Sequence, residues 1–283
     1  MPVPTRKNVI ISGGTAGMGR ATALERLARG DRVTVIGSSE ARGRALLDLA
    51  AHPDLRFIRA DLSSIAEVER VAAEIAGHHE AVDALALFAN RVSVKRRETP
   101  DGLEFTFALY YLSRHLLAHR LRPLLDAAET PVVVNVAGVG NTAGRMHWDD
   151  LQLTRRYGQV RAQLQAGRAN DLLGVAFAAA GSRARYVLYH PGFTRSGADA
   201  HPSPLVRGSI RLLARFFARP VADSARPVVD WIDRPPAEPL TAVDRGRNVP
   251  LSLKTLDPAD AARLAERTEE LLSRARPGPA PRD

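Results

Sequence analysis

The residues with the clearest chemical meaning lie near the start of the chain. In NVIISGGTAGMGR (8–20) an apolar run leads into Gly13, Gly17 and Gly19, with Thr15, Ala16 and Met18 between them. A tight turn at Gly13 folds the backbone back. Gly17 lets the main chain approach a pyrophosphate, and Gly19 lets the following helix pack close to the strand. The spacing predicts a dinucleotide cradle; the alternative is a glycine-rich turn that no longer holds a ligand. The second apolar run ends at Ile36-Gly37-Ser38-Ser39. A site for NAD usually places an acid here for the ribose hydroxyls. None is present. Ser38, Ser39 and Arg42 suit a 2′-phosphate instead, so NADP(H) is the expected cofactor. Ser39 also reads as the cap of the next helix, with Arg42 solvated.

The expected acid–base groups are harder to find. The stretch RAQLQAGRAN (161–170) carries Arg, Gln and Asn, but no Tyr, Lys, Asp, Glu or His. Just before it, Tyr157 and Arg161 stand four residues apart, a phenol with a cation one helical turn on. His147 precedes Trp148 in a loop and is a second candidate proton carrier. His115 and His119 have the i, i+4 spacing of metal ligands, yet no carboxylate or third His lies near them in sequence, so no metal is expected. The chain has no Cys, which removes disulfides, thiolate metal sites and a Cys nucleophile. No Gly-x-Ser-x-Gly elbow is present.

The elements that must hold these residues alternate over the first 190 positions. Strands are predicted at 8–12, 32–36, 55–59, 82–88, 131–136 and 184–189. Helices are predicted at 17–29, 39–51, 63–76, 103–126 and 159–180. Near-continuous apolar strands alternating with amphipathic helices predict a Rossmann-type α/β fold. This is a doubly wound parallel sheet with helices on both faces. Of the 19 prolines, 13 lie after residue 190. Further helices are expected near 203–218, 221–232 and 258–275, with a last strand at 240–244. The chain of 283 residues is read as one domain. Residues 1–190 form the dinucleotide-binding core, 191–275 a C-terminal helical cap on the substrate side, and 276–283 a tail. Net charge is +9, and 37 of the 40 basic residues are Arg. They are scattered and aromatics are only 5%, which argues against nucleic acid as partner. No run is long and apolar enough for a membrane span, and a cytoplasmic location is expected.

SGGTAGMGR resembles the glycine motif of the short-chain dehydrogenase/reductase family. The likeness runs over most of the chain and is nearest to the retinol-dehydrogenase-like and protochlorophyllide-reductase-like branch. It rests also on DGLEFTFALYYLSRHLL (101–117), WDDLQ (148–152), HPGF (190–193) and the segment 248–272. The resemblance implies that Asp61 and Leu62 border the adenine, and that Ala89, Asn90, Pro191, Gly192 and Phe193 line the nicotinamide side. It also implies a homodimer. The family's chemistry uses Asn, Ser, Tyr and Lys. Their places here are Tyr110, Gly138, Gln163 and Gly167, so all four are changed. Tyr157 with Arg161 is an alternative pair, and its use shifts the match of the residues after 168.

Ketone reduction needs a proton for the nascent alkoxide, and a positioned acid contributes about 10²–10⁴ in rate. Gln163 and Gly138 supply none. The expected function is therefore NADP(H)-dependent redox chemistry on a conjugated or quinone-type small molecule, as in natural-product tailoring, because such substrates need the tetrad least. Tyr110, Gln163, Tyr157 and His147 are the candidate site residues. Tyr110 reads equally as a filler of the volume vacated at 138, 163 and 167. Two alternatives stand beside this: a non-redox cyclase, isomerase or auxiliary protein that reuses the pocket, and a silent NADP-binding regulatory protein.

Overall fold

The computed structural model describes residues 6–192 and 220–275. Seven parallel strands and one antiparallel edge strand form a single sheet in the order β3-β2-β1-β4-β5-β6-β7-β8. The strands are β1 (Asn8–Ser12), β2 (Arg32–Gly37), β3 (Leu55–Arg59) and β4 (Ala84–Leu87). They continue with β5 (Val132–Val136), β6 (Arg185–His190), β7 (Leu240–Asp244) and β8 (Arg247–Asn248). The strand order reverses between β1 and β4, which pair in parallel from Val9–Ala84 to Ser12–Leu87. Ligands of open α/β sheets bind beyond the strand ends at such a switch point.

Alternation along β1 shows how the two faces are covered. Val9 and Ile11 join one apolar cluster with α1 (Gly17–Ala28), α2 (Glu40–Ala50) and α8 (Val221–Asp233). Ile10 points the other way. It joins α3 (Ile65–Ala76), α5 (Ser113–Arg120), α6 (Arg122–Ala127), α7 (Gln159–Ala179) and α9 (Pro258–Arg274). The described C-terminal third therefore enters the layers: β7 extends the sheet, α8 packs on α1, and α9 packs on α7. The helix expected at 203–218 lies outside the described residues. Arg26, buried in α1, bonds Asp31 at 2.6 Å and also meets Asp233 of α8, which ties that layer together.

Two expectations need correction. The single helix over 103–126 is four pieces. Glu104 caps its start by accepting from the N–H groups of Thr106 and Phe107 at 2.8 and 2.7 Å. One turn, α4 (Phe105–Phe107), then opens into a π turn at Ala108–Leu112 before α5. A break at Leu121 separates α5 from α6, and Pro123 in the first turn of α6 has no N–H to continue the ladder. The second correction is an addition. A two-residue turn at Arg245-Gly246, with φ of 51° and 84°, folds β8 back on β7, as type I′ hairpins do.

Candidate functional site

The nucleotide half is built by backbone. Gly13 has φ of 71°, and a Cβ there would lie 2.7 Å from the Ala89 nitrogen. The end of β1 thus passes directly against the segment after β4. A Cβ on Gly19 would meet the Gly13 carbonyl oxygen at 2.5 Å, which holds α1 hard against its own loop. Gly17 has φ of 53°. Ala16 precedes α1 and gives it no side-chain cap, and its first turn has no acidic residue. The first N–H groups of α1 are thus free of side-chain acceptors at its positive end, the arrangement that takes a pyrophosphate. Thr15 packs over the end of β2, where a Cβ on Gly37 would strike its methyl at 2.8 Å. Met18 is buried among the β1-side core residues.

Beyond β2, the Ser39 hydroxyl accepts from the Arg42 backbone N–H at 3.4 Å and caps α2. Ser38 and the Arg42 side chain are exposed, and Arg42 has no ion-pair partner among the described residues. Asp61 turns one carboxylate oxygen back on Ser63, accepting from its N–H at 3.0 Å and its hydroxyl at 2.8 Å. Leu62 is buried in the core. Pro191 and Gly192 close β6; Gly192 has φ of 85°. Phe193 lies outside the described residues. These surfaces fit a dinucleotide: a cradle that any Cβ would fill, an uncapped helix end, and hydroxyl and cationic groups where a 2′-phosphate would sit.

The opposite half lies around β5, the π turn and α7. Gly138 follows β5 and Gly167 lies in α7, and a Cβ on either would meet none of the described residues within 4 Å. Gln163 faces the segment after β4. Its amide and that of Asn90 exchange hydrogen bonds at 3.1 and 3.3 Å. Tyr157 and Arg161 are not brought together. The Tyr157 hydroxyl donates to the Ser93 carbonyl at 2.7 Å, while Arg161 bonds the Arg156 carbonyl and lies 2.9 Å from a ring nitrogen of His147. Burial and then Arg161 hold His147 below its usual pKa. His115 and His119 stack with ring centroids 4.1 Å apart. Burial first, then His119, pushes His115 down to about 3. The described residues hold no group of three metal-ligating side chains.

Tyr110 sits in the π turn and packs against Ala137 and Ala166. Its carbonyl accepts from the Asn170 side chain at 2.7 Å. Burial above all raises the pKa of its hydroxyl. Sequence reasoning missed two residues beside it. Arg114 is wholly buried, with its guanidinium 4.7 Å from the centre of the Tyr110 ring. It donates to the carbonyls of Val136 and Ala89, both at 2.9 Å, and to the Asn135 side chain. None of these partners is a carboxylate, and Nε has no partner. Burial brings its pKa down to about 10. Asp171, also buried, accepts from the Gly140 N–H at 3.1 Å, and burial lifts it to about 7. The four-residue step from Tyr110 to Arg114 was available as a signal; the burial of Asp171 has no signature in the sequence.

Comparison with known proteins agrees with the fold. Residues 7–149 match the short chain dehydrogenase family model. Over 271 residues the chain is 31% identical to a Streptomyces sp. (strain C5) protein named "Putative daunorubicin C-13 ketoreductase DnrU", covering 92% of this chain and 90% of that one. It is 28% identical over 207 residues to retinol dehydrogenase 13 of Mus musculus, covering 69% of this chain and 60% of the relative. A crystal structure of an uncharacterized protein from Mycobacterium Paratuberculosis superposes with a TM-score of 0.73. It is 25% identical, and the match covers 94% of this chain and 93% of that one.

Proposed function

Because this chain belongs to the short-chain dehydrogenase family, we propose that it is an NADP(H)-dependent reductase of a conjugated or quinone-type small molecule, working without the family's Asn-Ser-Tyr-Lys set. The observation that carries this reading is the asymmetry between its halves. The dinucleotide cradle is built to contact distance at Gly13 and Gly19, whereas a Cβ at Gly138 or Gly167 would meet none of the described residues within 4 Å. Glycine-rich backbone is entropically costly to keep ordered, and a retained ligand accounts for it.

When bound, the dinucleotide supplies a hydride. The chain's own residues divide the remaining tasks. Gly13, Gly17 and the first turn of α1 hold the pyrophosphate; Ser38, Ser39 and Arg42 hold the 2′-phosphate; Asp61 and Leu62 border the adenine. Ala89, Asn90, Pro191 and Gly192 border the nicotinamide side, and the Asn90–Gln163 amide pair spans from there to α7. Val92, Val94 and Val160, near this pair in sequence, are each more than half exposed, with Arg91 and Lys95 exposed among them. The valines suit the hydrocarbon part of a substrate, and a conjugated acceptor spreads the incoming charge. The relative named for C-13 ketoreduction of daunorubicin supports a tailoring role. The test is transfer of deuterium from 4-deuterated NADPH to quinones and conjugated ketones. Label in the product is expected. Product formation without label would replace the reading by a non-redox use of the pocket.

A further inference from the structure

We propose that Tyr110 is the proton donor of this site and that Arg114, one helical turn on, is the cation that positions it, a phenol–cation pair carried on the π turn and α5 instead of on α7. This rests on the reductase reading above and adds to it the source of the proton.

Four observations converge. Tyr110 and Arg114 are four residues apart, and the π turn that contains Tyr110 shifts the helix register just where the two face each other. Such single π turns are frequent at functional sites. Arg114 is a buried cation with no carboxylate partner among the described residues. Its bonds to Ala89, Val136 and Asn135 orient it but leave the charge uncompensated, which is costly in a low-dielectric interior. A phenolate formed at Tyr110 would be the missing counter-charge. Tyr110 packs against Ala137 and Ala166, the neighbours of Gly138 and Gly167, where a Cβ would meet none of the described residues within 4 Å. Its backbone is fixed by the bond from Asn170, which also donates to the Ala166 carbonyl at 2.8 Å. The Tyr110 side chain is thus held next to those two positions.

The step balances as follows. The bound dinucleotide would supply the hydride that forms the new C–H bond, and the C=O π pair would move to oxygen. The Tyr110 O–H bond breaks, its proton passes to that oxygen, and the electron pair stays on Tyr110 beside Arg114. Water then returns a proton to the phenolate. Three charged or titratable groups bear on the pair. Arg114 favours the phenolate. Asp171 on α7 opposes it when ionised, and the buried Tyr186 hydroxyl on β6 lies in the field of Arg114. Burial keeps Tyr110 protonated at neutral pH, the state a reductase needs.

The experiment compares wild type with Tyr110→Phe, Arg114→Met and Arg114→Lys in single-turnover reduction of a conjugated ketone by 4-deuterated NADPH. NADPH affinity and the absorbance titration of the five tyrosines are followed alongside. Tyr110→Phe should leave NADPH affinity within about twofold, slow the hydride step roughly 100-fold or more, and abolish the alkaline limb of the rate profile. A more acidic fluorinated tyrosine at 110 should move that limb to lower pH. Arg114→Met should raise the titration of Tyr110, identified by difference from Tyr110→Phe, and Arg114→Lys should restore part of the shift and part of the rate. If Arg114→Met does not fold, the fluorinated tyrosine and Tyr110→Phe decide. Turnover by Tyr110→Phe within about threefold of wild type, or an alkaline limb that ignores the fluorinated residue, overturns the assignment. Wild type that transfers no label removes the reductase reading and this assignment with it; label transfer that survives Tyr110→Phe removes only the assignment.

Discussion

Around β1, α1 and β2 the site is made of glycines, small side chains and an uncapped helix end, with contact distances that leave no room for a Cβ. Around β5, the π turn and α7 it is made of a buried Arg, a buried Tyr, an amide pair and two glycines that face open space. Both regions lie beyond the carboxyl ends of interior strands of the same sheet. A phosphate cradle depends on backbone geometry, which few sequences satisfy. An acid–base site depends on one or two side chains in reach of a common volume, and several placements serve. The first kind of site persists by motif; the second can move from helix to helix.

Substitutions can break this comparison at several levels. The largest effect is expected at Gly13→Val. The branched residue at a positive φ collides with the Ala89 backbone, so NADPH affinity should fall roughly 100-fold or more, and urea unfolding should show a loss on the order of 3 kcal/mol. Gly138→Ser, whose Cβ meets nothing, should change stability by less than about 0.5 kcal/mol. Equal damage from both would erase the distinction between the halves.

The second of these regions and its helices should also set the pH dependence of stability, with two opposite slopes. His115 is held down to about 3 against an ordinary 6.5, so the unfolded chain binds the extra proton. Its contribution is lost as pH falls from about 6.5 towards 3. Asp171 is raised to about 7 against an ordinary 3.8, so the folded chain binds the extra proton, and stability declines as pH rises from about 4 to 7. Asp171→Asn keeps an acceptor for the Gly140 N–H. It should raise stability at pH 8 by a few kcal/mol and leave it nearly unchanged at pH 4, measured by urea unfolding.

Arg42→Glu should act on the nucleotide half alone. NADPH should bind about tenfold or more weaker, with NADH little affected, read by fluorescence titration. The smallest effects contrast two glycines of α7. Gly167→Ala adds a methyl to empty space and should stabilise by about 1 kcal/mol through helix propensity. Gly174→Ala places its Cβ 2.9 Å from Leu188 and should destabilise. Thermal unfolding distinguishes the two signs.

Much of this molecule is legible in the chain. The alternation of β-rich and amphipathic runs places β1 to β7, and Gly13, Gly17 and Gly19 mark the cradle, because backbone constraints leave few residue choices. The pieces of the 103–127 region are less legible. Nothing local announces the π turn, which arises where Tyr110 and Arg114 pack beneath the strand ends, and Glu104 reads as a surface acid until its capping bonds are seen. Tyr157 and Arg161 have the right spacing, yet Ser93 and His147 draw them apart. Arg114 looks like any of 37 arginines until its burial among carbonyls is known. Spacing along a helix predicts proximity; it does not predict which neighbours from other elements will claim a side chain.

NADP(H) binding by the nucleotide half, beside a second half that works without the family's four residues, is what we propose. Fluorescence titration of the purified protein with NADPH and with NADH tests it most directly. Saturable binding of NADPH, at least about tenfold tighter than NADH, is the predicted result. Failure of both nucleotides to bind would contradict it.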